Sequence, residues 1–173
     1  LHLKDLAKKY GFNFFNRQKK LARDTTCIKE VFVDMNNKLR FHSNTFIWLF
    51  YIPLVYKNNN DFKRAIKITE KKKLKSICSF KEAETHPMSC WYIEENKPSQ
   101  FIKNNLCRRQ DFTKAYSHHH YICGFNVKSL KNLNNELIFK DTYPILLNSN
   151  TSKKLIEVDT PNELKKFKKM SKK

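Results

Sequence analysis

Two carboxylates stand one residue apart near the carboxyl end of the chain, in the stretch Leu155-Ile156-Glu157-Val158-Asp159-Thr160-Pro161-Asn162-Glu163-Leu164. Leu155, Ile156 and Val158 supply strand character, and Thr160 followed by Pro161 reads as a helix N-cap and first helical residue. On a strand, alternate residues share a face, so Glu157 and Asp159 project together at a strand-to-helix corner, the place where open α/β sheets bind ligands. Their mutual repulsion invites a cation. Magnesium, usually held by one or two carboxylates with the rest of its shell left for water and phosphate, fits this pattern. On its own the corner favours a plainer role: Glu157 a solvated strand residue and Asp159 part of the helix cap.

The elements that must position this corner follow from periodicity. Leu3, Leu6, Ala7 and Tyr10 form one helical face, with Gly11 placed for a C-cap. Phe12 to Phe15 reads as a short strand and Arg17 to Arg23 as a loop. Asp24-Thr25-Thr26 opens a helix carrying Ile28, Val31, Phe32 and Met35, with Asp24 as its N-cap. Phe46 to Tyr51 is near-continuously apolar, as a central parallel strand covered on both faces would be. A helix from Asp61 to about Lys72 and a strand from Lys75 to Phe80 follow. This alternation predicts α/β layering with right-handed crossovers. From His86 to Leu147 the segments shorten and become more β-like: 91–93, 100–102, 121–127 and 143–147, with a short helix near 128–133. Such an excursion suits an arm for substrate contacts or a subunit interface.

The 173 residues suit one domain, and 40% hydrophobic with 13% aromatic residues fills a core. The formal net charge of +19 raises a polyanionic partner, yet the lysines are spread through nearly every segment. Five cysteines without C-x-x-C spacing point to free thiols in a reducing cytoplasm. The apolar run Thr45 to Val55 is too short to span a bilayer, so no membrane role is expected. Consecutive histidines His118-His119-His120 on a strand point to opposite faces, and no Cys or carboxylate has ligand spacing to them. They read as solvated or packing residues. His86-Pro87 reads as a loop-shaping pair.

The succession KKYGFNFFNRQKKLARDTT, an apolar strand, DFKRAI, ETHPM, RRQDFTKAY and IEVDTPNEL, from Lys8 to Leu164, resembles the cytidylyltransferases that activate nine-carbon sugar acids, the CMP-sialic acid synthetases and their legionaminic and pseudaminic acid relatives. The resemblance implies a Rossmann-like nucleotide-diphospho-sugar transferase fold, three-layered with a mostly parallel sheet, in a single domain over 1–173 with a dimerisation and sugar-binding arm over 86–147. It implies CTP and a nine-carbon 2-keto sugar acid as substrates, pyrophosphate as product, a divalent cation such as Mg2+, a homodimer and a cytoplasmic location. Residue by residue, it places Arg17, Asp24 and Thr26 at the nucleotide, Arg109 and Gln110 at the sugar acid, Glu157 and Asp159 at the metal, and Asp159 and Arg109 in the catalytic group.

Several positions depart from the family pattern. Its Gly-rich nucleotide loop would lie before Leu1, so the first β-α nucleotide unit is expected to be missing and turnover to be impaired. Ser89 stands near the usual Lys, His119-His120 replace the usual Asn-Gly, and Glu157 replaces an Asp. The alternative expectation is a non-catalytic, degenerate relative acting as a basic module for nucleic acid or another polyanion.

Overall fold

A computed structural model describes residues 3–106 and 108–170. The first helix, α1 (Leu3–Lys9), ends as its sequence predicts. Gly11 adopts φ +73°, its N–H reaching Lys8 O at 3.2 Å while Phe12 N–H returns to Ala7 O at 2.8 Å. This pair of bonds is a Schellman closure, and it needs the left-handed conformation that glycine adopts without strain.

The main sheet holds β1 (Phe46–Leu49), β2 (Ser76–Glu82), β5 (Tyr116–Asn126) and β6 (Thr142–Leu146) in the order β1-β5-β2-β6. A separate hairpin joins β3 (Trp91–Glu94) to β4 (Lys97–Gln100). β5 is antiparallel to both β1 and β2, and β2 is parallel to β6. It follows that β1, β2 and β6 share one direction and β5 runs against them. The protein is therefore mixed α/β, and the expected mostly parallel sheet is corrected: two of its three pairings are antiparallel. β1 is an edge strand of four half-buried residues, not a central parallel one. Apolar composition reports burial but carries no information on which strand lies alongside.

One helix covers each face. On one side α2 (Ile28–Leu39) places Phe32 against Cys123 and Phe125, with Leu130, Leu133 and Leu137 closing the cluster; the Phe32 and Phe125 rings meet edge-on at 5.1 Å. On the other, α3 (Asn59–Lys72) lays Phe62 and Ala65 over Ile77, Tyr121, Ile122 and Leu54. Asn58, accepting from Asn60 N–H at 3.0 Å, is the N-cap of α3. The remaining helices are α4 (Ser149–Lys154) and α5 (Pro161–Met170).

Other local expectations change. Phe12 to Phe15 forms no strand; Phe12 and Phe14 are exposed, and α1 buries no residue. The N-cap of α2 is Cys27, three residues after Asp24. The excursion expected over 86–147 is narrower: the β3–β4 hairpin stands outside the main sheet, whereas β5 and β6 belong to it. Cys27, Cys78, Cys90 and Cys123 are free thiols, and Cys107 lies outside the described residues. Among the described residues, no helix is long and apolar enough to cross a membrane.

Gly124 is opposite Trp48 in the β1–β5 ladder. A Cβ built there would stand 2.7 Å from Phe46 Cε1, 3.0 Å from Trp48 Cε3 and 3.1 Å from Ile47 O. Because one neighbour is backbone, the site cannot widen without moving β1. Gly124→Ala is expected to destabilise the fold by about 1–3 kcal/mol, the usual cost of overpacking, read as a lowered urea midpoint with an unchanged slope.

Candidate functional site

The residues of interest gather at one rim of the sheet. β1, β2 and β6 all end there, and the reversed β5 begins there. In open α/β sheets this rim, at the carboxyl ends of the co-directional strands, is the place for ligands.

β5 is irregular at this rim. Cys78 pairs with Cys123, but the next residue, Ser79, pairs with His119. The chain between is gathered into a bulge stitched by one side chain. Ser79 Oγ donates to His119 O at 2.5 Å and accepts from Ile122 N–H at 2.9 Å. Ser79 is fully buried, and its hydroxyl satisfies two backbone groups that the broken ladder would leave without partners.

The carboxyl-terminal corner docks onto the segment following β1. Its expected strand is reduced to a single antiparallel bridge, Leu54 to Glu157, beside the bond from Val158 N–H to Pro53 O at 2.9 Å. The reason is local. Leu155 is still the C-cap of α4 and Pro161 already begins α5, so too few residues remain for a ladder. Thr160 caps α5 as predicted, in a reciprocal box with Glu163. Glu163 N–H meets Thr160 Oγ1 at 3.3 Å, and Glu163 Oε2 accepts from Thr160 N–H at 2.8 Å, Thr160 Oγ1 at 2.9 Å and Asp159 N–H at 3.0 Å. These bonds hold the Glu163 carboxyl below its usual range, that from the Thr160 hydroxyl foremost. Glu163 is the corner residue that the sequence reading passed over, although T-x-x-E before a helix announces it.

Glu157 and Asp159 are both exposed, and Glu157 shares a cavity wall with Tyr51. The Tyr51 phenol is pushed up to about 12, first by burial, then by its hydrogen bond to Glu157 and by the negative charges of Glu157 and Asp159. Tyr51, Leu54, His118, His119, His120 and Glu157 line a cavity of about 150 Å³ beside this corner. His119 is half-buried, and burial, followed by the charges of Lys81 and the flanking histidines, pushes its imidazole down to about 4. It is therefore neutral over the physiological range.

Two histidines behave differently from the sequence expectation. His118 and His120, two positions apart on β5, share a face and meet Glu136 from the loop after the 3-10 segment Val127–Asn132. His118 Nε2 lies 3.1 Å from Glu136 Oε2; His120 Nε2 lies 3.1 Å from Glu136 O and 3.9 Å from Oε2. The i, i+2 spacing on a strand was the available signal. The carboxylate, sixteen residues beyond His120, was not visible from spacing.

The other predicted residues lie elsewhere. Arg17, exposed, precedes a 3-10 turn, Lys19–Leu21, and Asp24 and Thr26 sit in the connection to α2. Among the described residues, none of the three bonds to the corner. Arg109 opens the 3-10 turn Arg109–Asp111 with exposed Gln110 beside it; the Arg109 side chain lies outside what is described. Arg108 holds Asp111 through two bonds of 3.1 Å. His86 shapes its loop as expected. Its Nδ1 accepts from Met88 N–H at 3.2 Å, Nε2 reaches Thr113 O at 2.7 Å, and the ring lies 4.7 Å from that of Phe112. Glu82 to His86, Ser89 and Phe112 to Ala115 line an open cleft of about 590 Å³ at the same rim.

Compared with models of known protein families and with curated proteins, the chain matches none.

Proposed function

We propose that the protein is a cytidylyltransferase of the sialic-acid-synthetase type, transferring CMP from CTP to a nine-carbon 2-keto sugar acid with release of pyrophosphate. The observation that carries this reading is the placement of Glu157 in the wall of the cavity it shares with Tyr51, docked on Leu54 and two residues before exposed Asp159. Two carboxylates so placed suit a magnesium ion bearing substrate phosphates, which would neutralise charge as the sugar hydroxyl attacks the α-phosphorus. Arg17, Asp24 and Thr26 serve the nucleotide. Arg109 and Gln110 serve the sugar acid, a planar guanidinium being well matched to its carboxylate. The turn they occupy leads through Phe112 into the cleft of about 590 Å³, which has room for the sugar.

In this reading the fold is a Rossmann-like transferase sheet with one reversed strand, the enzyme works in the cytoplasm, and it forms a homodimer. Support for the dimer comes from the hairpin and its exit, where Trp91, Ile93 and Phe101 are exposed, an apolar surface of the kind subunits cover. The deciding assay is pyrophosphate release by the protein from CTP, a sialic-type acid and Mg2+. No release with any nine-carbon 2-keto acid would overturn the reading.

A second reading, a basic polyanion-binding module, is favoured by one feature. At the opposite rim Lys73, Lys75 and Lys128 surround a cavity of about 340 Å³ with Asn44, Asn126 and Asn132. This reading expects single-stranded DNA affinity that falls linearly in log–log form with salt, while calorimetry with CTP and magnesium gives no stoichiometric binding. Salt-independent or absent DNA binding would remove it.

A further inference from the structure

We propose that His118 Nε2, His120 Nε2 and Glu136 Oε2 form a site for one imidazole-favouring transition-metal dication, zinc being the reference ion, with its remaining coordination left to water or to a ligand in the adjoining cavity. The site does not depend on the cytidylyltransferase reading. All three ligand atoms lie within 4.8 Å of one another. Four ligands about 2.0–2.1 Å from a tetrahedral zinc stand roughly 3.3 Å apart, and the two Glu136 Oε2 separations, 3.1 Å to His118 and 3.9 Å to His120, straddle that figure.

The fold brings these atoms together, and His120 Nε2 would exchange its proton and its 3.1 Å bond to the Glu136 carbonyl for the metal. Strand alternation puts both imidazoles on one face, their ring centroids 5.4 Å apart, and the Ser79-stitched bulge begins beside them. Glu136 is fixed from its backbone. Asn134 Oδ1 accepts from Glu136 N–H at 3.0 Å and from Ile138 N–H at 2.9 Å, and Leu137, fully buried at φ +60°, anchors the loop in the α2-side core. His120 is the more buried imidazole, its side chain 16% exposed against 40% for His118 and 52% for Glu136. A ligand set that runs from half-buried to half-exposed leaves a route for an ion.

The donor set selects the metal. Two imidazoles and one carboxylate suit zinc, cobalt or nickel, whereas magnesium takes oxygen ligands and dehydrates reluctantly. Three protein ligands with a free position are the arrangement of zinc sites that bind water or substrate. The same histidines line the cavity of about 150 Å³ that Tyr51 and Glu157 share. A ligand completing the metal's shell would therefore sit next to the carboxylate corner. Binding would also fasten the Glu136 loop to the start of β5.

The test uses the untagged full chain, since a polyhistidine tag would itself bind the probe. Chelator-treated protein under a thiol-free reductant is titrated with Zn2+ by calorimetry and with Co2+ by visible absorption. One ion per chain is expected, and cobalt should give a d–d spectrum without the thiolate charge-transfer band that the cysteines would produce. His120→Asn and Glu136→Gln should each weaken binding by about 100-fold or more, at or beyond the upper end of the loss seen when only a supporting residue is removed. Far-UV circular dichroism checks folding. If His120→Asn does not fold, Glu136→Gln decides alone, because Glu136 is half-exposed and its loop is held by backbone bonds. Failure of the unaltered chain to bind either ion, or equal binding by folded Glu136→Gln, would overturn the site.

Discussion

Under the proposed cytidylyltransferase reading, replacing Glu157 and Asp159 together by alanine is expected to lower magnesium-dependent pyrophosphate release from CTP by about 1,000-fold or more, corresponding to the several kcal/mol of transition-state charge stabilisation that a bound metal supplies. The structure makes this a clean experiment. Cap bonding at the start of α5 runs through Thr160, Glu163 and the backbone of Asp159, so loss of the Asp159 carboxylate leaves the helix terminus intact. Glu157 contacts Leu54 through a backbone bridge, which alanine retains, losing only the side-chain bond to Tyr51. A folded, inactive variant therefore reports on chemistry and not on collapse of the corner. The single variants Glu157→Gln and Asp159→Asn should each raise the magnesium concentration needed for half-maximal rate, since each removes one charged ligand and leaves the other. Turnover by the double variant at the unaltered rate would remove the metal assignment.

Where the sequence could be read, the signal was local. Gly11 and the Thr160-Pro161 pair are punctuation marks whose meaning lies within a few residues, and both stand where expected. The apolar spacing in α2 and α3 places Phe32, Phe62 and Ala65 in the core for the same reason. What was not legible is set at long range. That β5 lies between β1 and β2 depends on pairings 34 to 49 residues apart with β2 and 74 to 80 residues apart with β1, which composition does not encode. The bulge that shapes the histidine rim hangs on Ser79, a small residue with no distinguishing neighbours in sequence, bonding 43 positions away. Strand alternation sends neighbours in His118-His119-His120 to opposite faces, and by the same alternation the outer two share a face, where Glu136 meets them. Phe12 to Phe15 shows the converse. Its aromatic residues have strand propensity, but propensity stabilises a strand only when a partner edge is offered.

The largest expected effect on stability falls on Tyr121, which ties the sheet to the start of α3. Its ring is fully buried between Tyr56 and Phe62, with centroids 6.0 and 5.6 Å away. Its hydroxyl donates to Asp61 Oδ2 at 2.8 Å and accepts from Asn58 N–H at 3.1 Å. Tyr121→Ala should cost about 3–5 kcal/mol, the range for truncating a buried aromatic ring, which removes much of the stability of a typical domain. Tyr121→Phe keeps the ring and strips both hydrogen bonds, so a smaller loss of about 1–3 kcal/mol is expected. The two variants thereby separate packing from polar anchoring. Burial, then the hydrogen bond and charge of Asp61, hold the Tyr121 phenol well above its usual range. The folded-state pKa being raised, this contribution is complete below pH about 10, where an unfolded tyrosine ionises. Above that, the unfolded chain loses a proton that the folded chain keeps, and stability falls by about 1.4 kcal/mol per pH unit until the folded phenol also ionises. Urea midpoints measured from pH 8 to 11 should decline above pH 10, and Tyr121→Phe should flatten that decline while lowering the plateau. An equally steep decline in the phenylalanine variant would assign the alkaline loss to other groups.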